Sequence, residues 1–350
     1  MRKDEKVNVL IVGSGEHPIY ASALYRGMEE LSNVDVQTYY WNDIFNKSKS
    51  NKYVKKIEFK FSIGHIIKKI NRDIVLFCKN NHIDLVFLYT SRMIKPETII
   101  AVKKMGTKVF SYCNDDPFSD YFPLYFWRLY KKSLFESDIN YVYRIKNIDD
   151  VANYCGVKPQ LLRSYYLKDK NFPCSYSELL SGTPDVLFLG HDENDERKEY
   201  IKALADKGIS VGVPRKDYEK TLGRYKNIVM LDNERQLYNR YLCSCKIPLV
   251  FLSKINHDTY TRRCFEIPAA GAFLFCPYTD DLASMFEEDK EIVFYHTKDD
   301  FVEKVIYYLE HDEERMCIAT AGHERLLRDG HEVKDRAEQI IKDYKRLADR

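Results

Sequence analysis

The chain has 350 residues, 45% hydrophobic and 31% charged, with a formal net charge of +2. That balance describes a soluble globular protein long enough for two domains, each burying its own core. It supplies no global drive toward polyanions, so nucleic acid is not an expected partner, and attraction to any anionic surface must come from a local patch. No apolar run approaches the roughly 20 residues that span a bilayer. The charged opening Met1-Arg2-Lys3-Asp4-Glu5-Lys6 leads into a strand without a cleavage-type segment, so a cytoplasmic location is expected. The nine cysteines are odd in number and scattered, which fits reduced thiols better than a disulfide framework. Only Cys243 and Cys245 lie close together, and their spacing matches no common zinc pattern.

The first half alternates apolar strands with helical segments. Strands are expected at Val7 to Val12, Val34 to Tyr40, Leu85 to Tyr89, Val109 to Cys113 and Ile139 to Tyr143. Helices are expected near 19–31, 65–81, 96–105 and 122–135. This order predicts a parallel, doubly wound α/β sheet, in which sites form at the carboxyl ends of the strands. After the first strand, Gly13-x-Gly15 is only part of a dinucleotide fingerprint, because Pro18 stands where a third glycine is needed. Gly13 and Gly15 read as a tight turn lining a cleft; His17 either points toward substrate or caps the following helix. After the strand ending at Cys113, Asp115 and Asp116 either supply a general base for an acceptor hydroxyl or open a turn ahead of Pro117.

Between 47 and 72 there are nine basic residues (Lys47, Lys49, Lys52, Lys55, Lys56, Lys60, Lys68, Lys69, Arg72) against one acid, Glu58. The helix that follows carries Ile63, Ile66, Ile67, Ile70, Ile74 and Phe77 at helical spacing. The basic stretch is therefore either a solvated face above a core-facing stripe or a surface that meets anionic lipid, which would hold the protein peripherally at the inner membrane face.

A turn-rich connection over 156–184 separates the halves. A strand then runs from Asp185 to Gly190, followed by the polar run His191 to Arg197 and a helix reaching about Lys207. Further strands are expected at Ile209 to Val213, Ile228 to Leu231 and Ile247 to Leu252. The domains are accordingly 1–168 and 169–330, followed by a C-terminal helix over 331–350.

The most informative stretch runs from Asn256 to Pro277. Asp258, Arg262, Arg263 and Glu266 precede a small-residue turn at Ala269 to Gly271 and a strand at Ala272 to Cys276. A short helix is expected from about Thr261 to Ala270, stopped at Gly271 by glycine's tolerance of left-handed backbone. Arginines beside a helix start, with its unpaired N–H groups, suit a diphosphate. A carboxylate one turn further in can accept from both hydroxyls of a ribose. An ordinary intrahelical Glu–Arg pair reads equally well from local pattern.

The run Arg263-Cys264-Phe265-Glu266-Ile267-Pro268-Ala269-Ala270-Gly271-Ala272-Phe273 resembles the R-x-F-E-x-x-A-x-G-A-F signature of the spore-maturation CgeB-like glycosyltransferases. The likeness continues through Phe286-Glu287-Glu288, Glu291 to Tyr295, Gly330-His331 and Arg336-Ala337-Glu338-Gln339. It covers most of 183–345 and thins toward the N-terminus. It implies a GT-B fold, two Rossmann-like domains facing across a cleft, with a nucleotide-sugar donor, a UDP-sugar first among the options, bound by the second domain.

Carried over residue by residue, Glu266 grips the donor ribose and Arg263 faces the diphosphate, with Arg262 beside it. Gly190 forms the turn under the phosphates, Arg197 and Gly271 are further donor-side candidates, and Lys254 and Asn256 face the same cleft; the fold also implies that the C-terminal helix crosses back to brace the first domain. Asp258 and Glu266 resemble the Glu-x7-Glu element of retaining transferases, with aspartate in place of the first glutamate. The implied reaction moves a sugar to an acceptor hydroxyl without a metal or other cofactor; the acceptor is a glycan, a lipid-linked sugar or a protein. Two other classes share the donor site: a nucleotide-sugar epimerase, and a non-catalytic binder or scaffold. A nicotinamide-dependent dehydrogenase fits least, given the incomplete fingerprint.

Overall fold

The computed structural model describes residues 6–90, 92–232 and 234–349; the charged opening at 1–5 lies outside them. The chain forms two compact units. The first comprises the described residues of Met1–Arg163 and Val333–Arg350, and the second is Ser164–Glu332.

The first unit is built on six strands: β1 (Val7–Gly13), β2 (Val34–Tyr40), β3 (Leu85–Tyr89), β4 (Lys108–Cys113), β5 (Ile139–Val142) and β6 (Gln160–Leu161). They lie in the order β2-β1-β3-β4-β5-β6, every neighbouring pair parallel. Parallel strands are covered on both faces, so they read as unbroken apolar runs; every residue of β3 is buried. The two-residue β6 escapes sequence reading because it has no room for a pattern. The helix expected over 122–135 forms only at Arg128–Ser133. Ahead of it the chain turns at Pro123, whose carbonyl accepts the Phe126 N–H at 2.8 Å.

The helix Val333–Ala348 belongs to this first unit. Val333, Ala337, Ile340, Ile341 and Tyr344 form its buried stripe, and it packs on the helix Ala21–Glu29. Polar bonds fix its register: the Tyr141 hydroxyl donates to Asp343 Oδ2 at 2.7 Å, and Gln339 Nε2 donates to the Leu161 carbonyl at 2.9 Å. The two helices approach at Gly27, where an added Cβ would lie 2.9 Å from the Val333 carbonyl oxygen.

In the second unit β7 (Val186–Leu187), β8 (Val211–Pro214), β9 (Ile228–Leu231) and β10 (Ile247–Pro248) form a sheet of order β10-β7-β8-β9. β11 (Phe275–Pro277) and β12 (Val293–Tyr295) pair in parallel beside it, joined to it by a bridge between Leu249 and Phe275. Val186, Phe188, Val213, Ile247, Phe275 and Phe301 lie in one core cluster. The expected strands 185–190 and 247–252 are thus shorter than their apolar runs, whose remaining residues continue as buried loop.

All nine cysteines are free thiols. No helix among the described residues is long and apolar enough to cross a membrane. Gly27→Ala is expected to destabilise the protein by about 1–3 kcal/mol, the usual cost of overpacking a tight contact, read as a lower urea midpoint at unchanged slope.

Candidate functional site

The strand order of the second unit reverses between β7 and β10. Chain leaving β7 proceeds outward through β8 and β9, and chain leaving β10 proceeds the other way through β11 and β12. In open parallel sheets the crevice beyond the carboxyl ends of two such strands is where ligands bind. The loops that flank it, 190–197 and 251–262, hold Gly190, Arg197, Lys254, Asn256, Asp258 and Arg262. The helix Arg263–Ala269 follows directly and adds Arg263 and Glu266.

Gly190 and Arg263, far apart in sequence, meet here. A Cβ on Gly190 would lie 2.7 Å from Arg263 Nη2 and 2.4 Å from the Phe188 ring, so glycine leaves the room that the guanidinium occupies. Arg263 Nη2 donates to the Leu189 carbonyl at 3.1 Å, and the guanidinium lies 5.5 Å from the Phe188 ring centre. Its Nε is buried with no hydrogen-bond partner. A buried guanidinium N–H without an acceptor is costly, and an anionic oxygen would satisfy it.

Glu266 is gripped from both sides. Arg262 Nε donates to Oε1 at 2.5 Å, and the Tyr238 hydroxyl donates to Oε2 at 2.8 Å. Burial, and then the neighbouring Glu266 carboxylate, push the Tyr238 phenol well above its ordinary range, so it remains a donor. Each carboxylate oxygen keeps a second lone pair. Both can therefore still accept from adjacent hydroxyls. The intrahelical Glu–Arg pair left open by the sequence exists, and it orients the carboxylate. Arg262 also lies 4.9 Å from the Tyr165 ring centre.

The helix start is not the free anion site expected from the sequence. The Arg263 N–H donates to Thr261 Oγ1 at 3.2 Å. Those of Cys264, Phe265 and Glu266 go to the carbonyls of Thr261 and Arg262. Anion recognition here rests on side chains. Gly271, with φ of 68°, ends the helix as expected; its N–H is bonded to the Pro268 carbonyl at 2.9 Å, which makes it a structural stop.

Arg197 proves to be an organiser of the loop. It is 3% exposed. Nε and Nη2 form a fork on Asp195, each at 2.7 Å, Nη1 donates to the His191 carbonyl, and Glu193 lies at 3.2 Å. Burial opposes the charge, but Asp195 and Glu193 outweigh it and raise the Arg197 pKa. Glu193 also accepts from Ser253 Oγ at 2.8 Å, and Glu196 pairs with Lys254 at 2.8 Å, so the two loops are tied together. The Lys254 pair is exposed; such pairs are weak, leaving its ammonium available to an incoming anion. Asn256 and Asp258 lie in the turn beyond, their N–H groups bonded to Ser253 Oγ at 3.4 Å and the Ser253 carbonyl at 2.9 Å.

The first unit has a corresponding reversal between β1 and β3, with Gly13, Gly15 and His17 on the loop after β1. The Gly15 N–H donates to Asn42 Oδ1 at 2.8 Å. His17 is exposed, its ring edge-on to Tyr20 at 5.8 Å. Asp115 and Asp116 differ sharply. Burial raises the Asp115 pKa, against the pull of Arg144 and Arg92. Asp116 is 0% exposed and its Oδ1 accepts from the Phe118 N–H and from Asn147 Nδ2, both at 2.9 Å; it holds a turn, the structural option of the two that the sequence allowed. Among the described residues no group of three or more His, Cys, Asp or Glu side chains is placed to hold a metal ion.

The architecture is the GT-B fold. Along nearly their whole lengths the chain superposes on the sucrose-phosphate synthase of Thermosynechococcus elongatus, with a TM-score of 0.70, 11% identity and coverage of 98% of this chain and 99% of that one. HepE of Anabaena in complex with UDP-glucose gives 0.68, 10%, 97% and 99%. A protein described as a UDP-N-acetylglucosamine 2-epimerase from Listeria monocytogenes gives 0.58, 12%, 96% and 95%. In sequence, residues 197–342 match the model of the glycosyl transferase-like family, a span that contains Arg262, Arg263, Glu266 and Gly271. The comparison with curated proteins gave no match.

Arg197→Ala is expected to destabilise the protein by about 3 kcal/mol or more, because it strands Asp195 beside a core. Arg197→Lys recovers only part of the loss, since one ammonium cannot reproduce the two-pronged contact. Chemical denaturation of the two variants measures both.

Proposed function

We propose that the protein is a nucleotide-sugar glycosyltransferase whose donor site is the carboxyl edge of the second unit's sheet, around Arg263 and Glu266. The observation that carries this reading is the buried, partnerless Nε of Arg263 beside a glycine, one helical turn from a carboxylate held with free lone pairs. The family match over the same residues and the UDP-glucose complex of the similarly folded HepE support it, and favour a UDP-sugar as the donor to test first. The narrower likeness to CgeB-like proteins rests on the signature at 263–273.

In this reading the diphosphate meets Arg263, with Lys254 released from Glu196 as a second cation, and the ribose hydroxyls donate to Glu266. Cleavage of the sugar–phosphate bond leaves negative charge on the nucleotide. A guanidinium already held in place by the Leu189 carbonyl stabilises that charge as it develops, the usual source of the largest catalytic term. No metal is required for this step. Arg262 acts through Glu266, holding its orientation. For the acceptor's proton in an inverting reaction, the exposed His17 is a better candidate than Asp116, whose carboxylate is fully buried in its turn. In a retaining reaction the leaving phosphate takes that proton, and Asp258 is placed on the donor-side loop.

Thermal unfolding against a panel of nucleoside diphosphates and nucleotide sugars tests the donor site, since a ligand that binds only the folded state raises the melting temperature. A selective rise with one nucleotide is expected; no rise at millimolar ligand would overturn the reading. Glu266→Ala should weaken binding of that nucleotide about tenfold or more, the worth of hydrogen bonds to a charged acceptor, while the protein stays folded. Because the fold also serves an epimerase, incubation of donor without acceptor, followed by sugar analysis, separates transfer from epimerisation.

A further inference from the structure

The helix Lys52–Phe61 is built the wrong way round for a helix that serves only the core. Its buried residues are Glu58 and, just past its end, Ser62. Glu58 is buried and accepts from the N–H groups of His65 at 3.1 Å and Ile66 at 2.8 Å. Phe59 packs on Trp41 and Phe45 and under the Arg92 guanidinium at 4.5 Å. The solvent-facing residues Tyr53, Val54 and Ile57 are apolar or aromatic and exposed, and the half-buried Phe61 continues their line. Tyr53, Val54, Ile57 and Phe61 recur at i, i+1, i+4 and i+8, one face of a helix. Tyr53 is 74% exposed and Ile57 53%. Lys52, Lys56 and Lys60 run beside this stripe at i, i+4 and i+8.

A second element extends the surface. Phe61 lies against Tyr125 with ring centres 4.8 Å apart, and Arg128 Nη2 donates to the Phe61 carbonyl at 3.2 Å. The loop ending there presents Leu124 at 93% exposure, beside an exposed Tyr121. Among the described residues Lys52, Lys55, Lys56, Lys60 and Lys68 form no ion pair, and the single acid of the basic 47–72 stretch is the buried Glu58.

We propose that this face, the helix Lys52–Phe61 with the Tyr121–Tyr125 loop, lies on the surface of an anionic lipid bilayer. Aromatic and aliphatic side chains enter the headgroup boundary, and the flanking lysines rest their stems on it with their charges at the lipid phosphates. The charge selects this occupant. A patch that docked another protein through its apolar stripe would lose contact quality from unpaired lysines along its length, whereas a negatively charged leaflet attracts each of them.

Co-sedimentation of the whole chain with lipid vesicles tests the proposal independently of any transferase activity. The protein should pellet with vesicles of mixed phosphatidylcholine and phosphatidylglycerol, pellet little with phosphatidylcholine alone, and be released by salt. Tyr53→Ser combined with Ile57→Ser, both solvent-facing, should cut the vesicle partition coefficient about tenfold or more at an unchanged melting temperature. Lys56→Gln and Lys60→Gln should each cut it roughly fivefold. Absence of binding to anionic vesicles, equal binding to neutral ones, or full binding by the Tyr53/Ile57 variant would overturn it. So would lipid-free self-association abolished by that variant, which assigns the face to a second copy of the chain.

Discussion

Arg197 is a cation withdrawn from water at the edge of a hydrophobic sheet, and the two loops over the second unit's strand reversal are arranged by the need to satisfy it. Its fork on Asp195 closes the loop after β7, and its contact with Glu193 places that carboxylate where Ser253 reaches it from the loop after β10. Two loops that are neighbours only because β7 and β10 pair in the sheet are thereby held as one surface. The groups assigned to ligand, Arg263 and Glu266, are held separately, by the Leu189 carbonyl and by Arg262 and Tyr238. Their own contacts are of a different kind: Glu266 retains acceptor capacity, and Arg263 retains a donor without a partner.

The central strands were legible because a strand covered on both faces is apolar along nearly its whole length, as Leu85 to Tyr89 is throughout and Val7 to Val12 is but for Asn8. Gly271 was legible as a helix stop because its backbone requirement is local. Arg197 was not. A guanidinium directly after a run of acids looks like a surface charge on a helix, and nothing local says that three acceptors converge on it. Tyr238 and Phe188 were missed for the same reason, since a tyrosine's donation to a carboxylate 28 residues away is a property of the fold. The misjudged helix start shows the converse error: a pattern that offers free amides assumes that the preceding turn leaves them free, and Thr261 does not.

The basic stretch over 47–72 illustrates how a pattern is hidden by its context. Its charges dominate the reading of the sequence, while Tyr53, Val54 and Ile57 among the lysines fall into a stripe only once the helix is known to begin at Lys52. Adjacent Ile66, Ile67, Ile70 and Ile74 are buried, so the chain places one apolar helix face against its core and, a few residues earlier, another away from it. Composition alone cannot distinguish the two.

The division of the chain has a temporal side. The second unit is a continuous stretch, Ser164–Glu332, whereas the first needs the helix from Val333 onward to cover Ala21–Glu29 and to receive the Tyr141 hydroxyl. On a ribosome, every residue of the second unit is made before that helix exists. The unit that begins the chain is therefore the one completed last, and its helix Ala21–Glu29 waits with an uncovered face while the whole of its partner is synthesised.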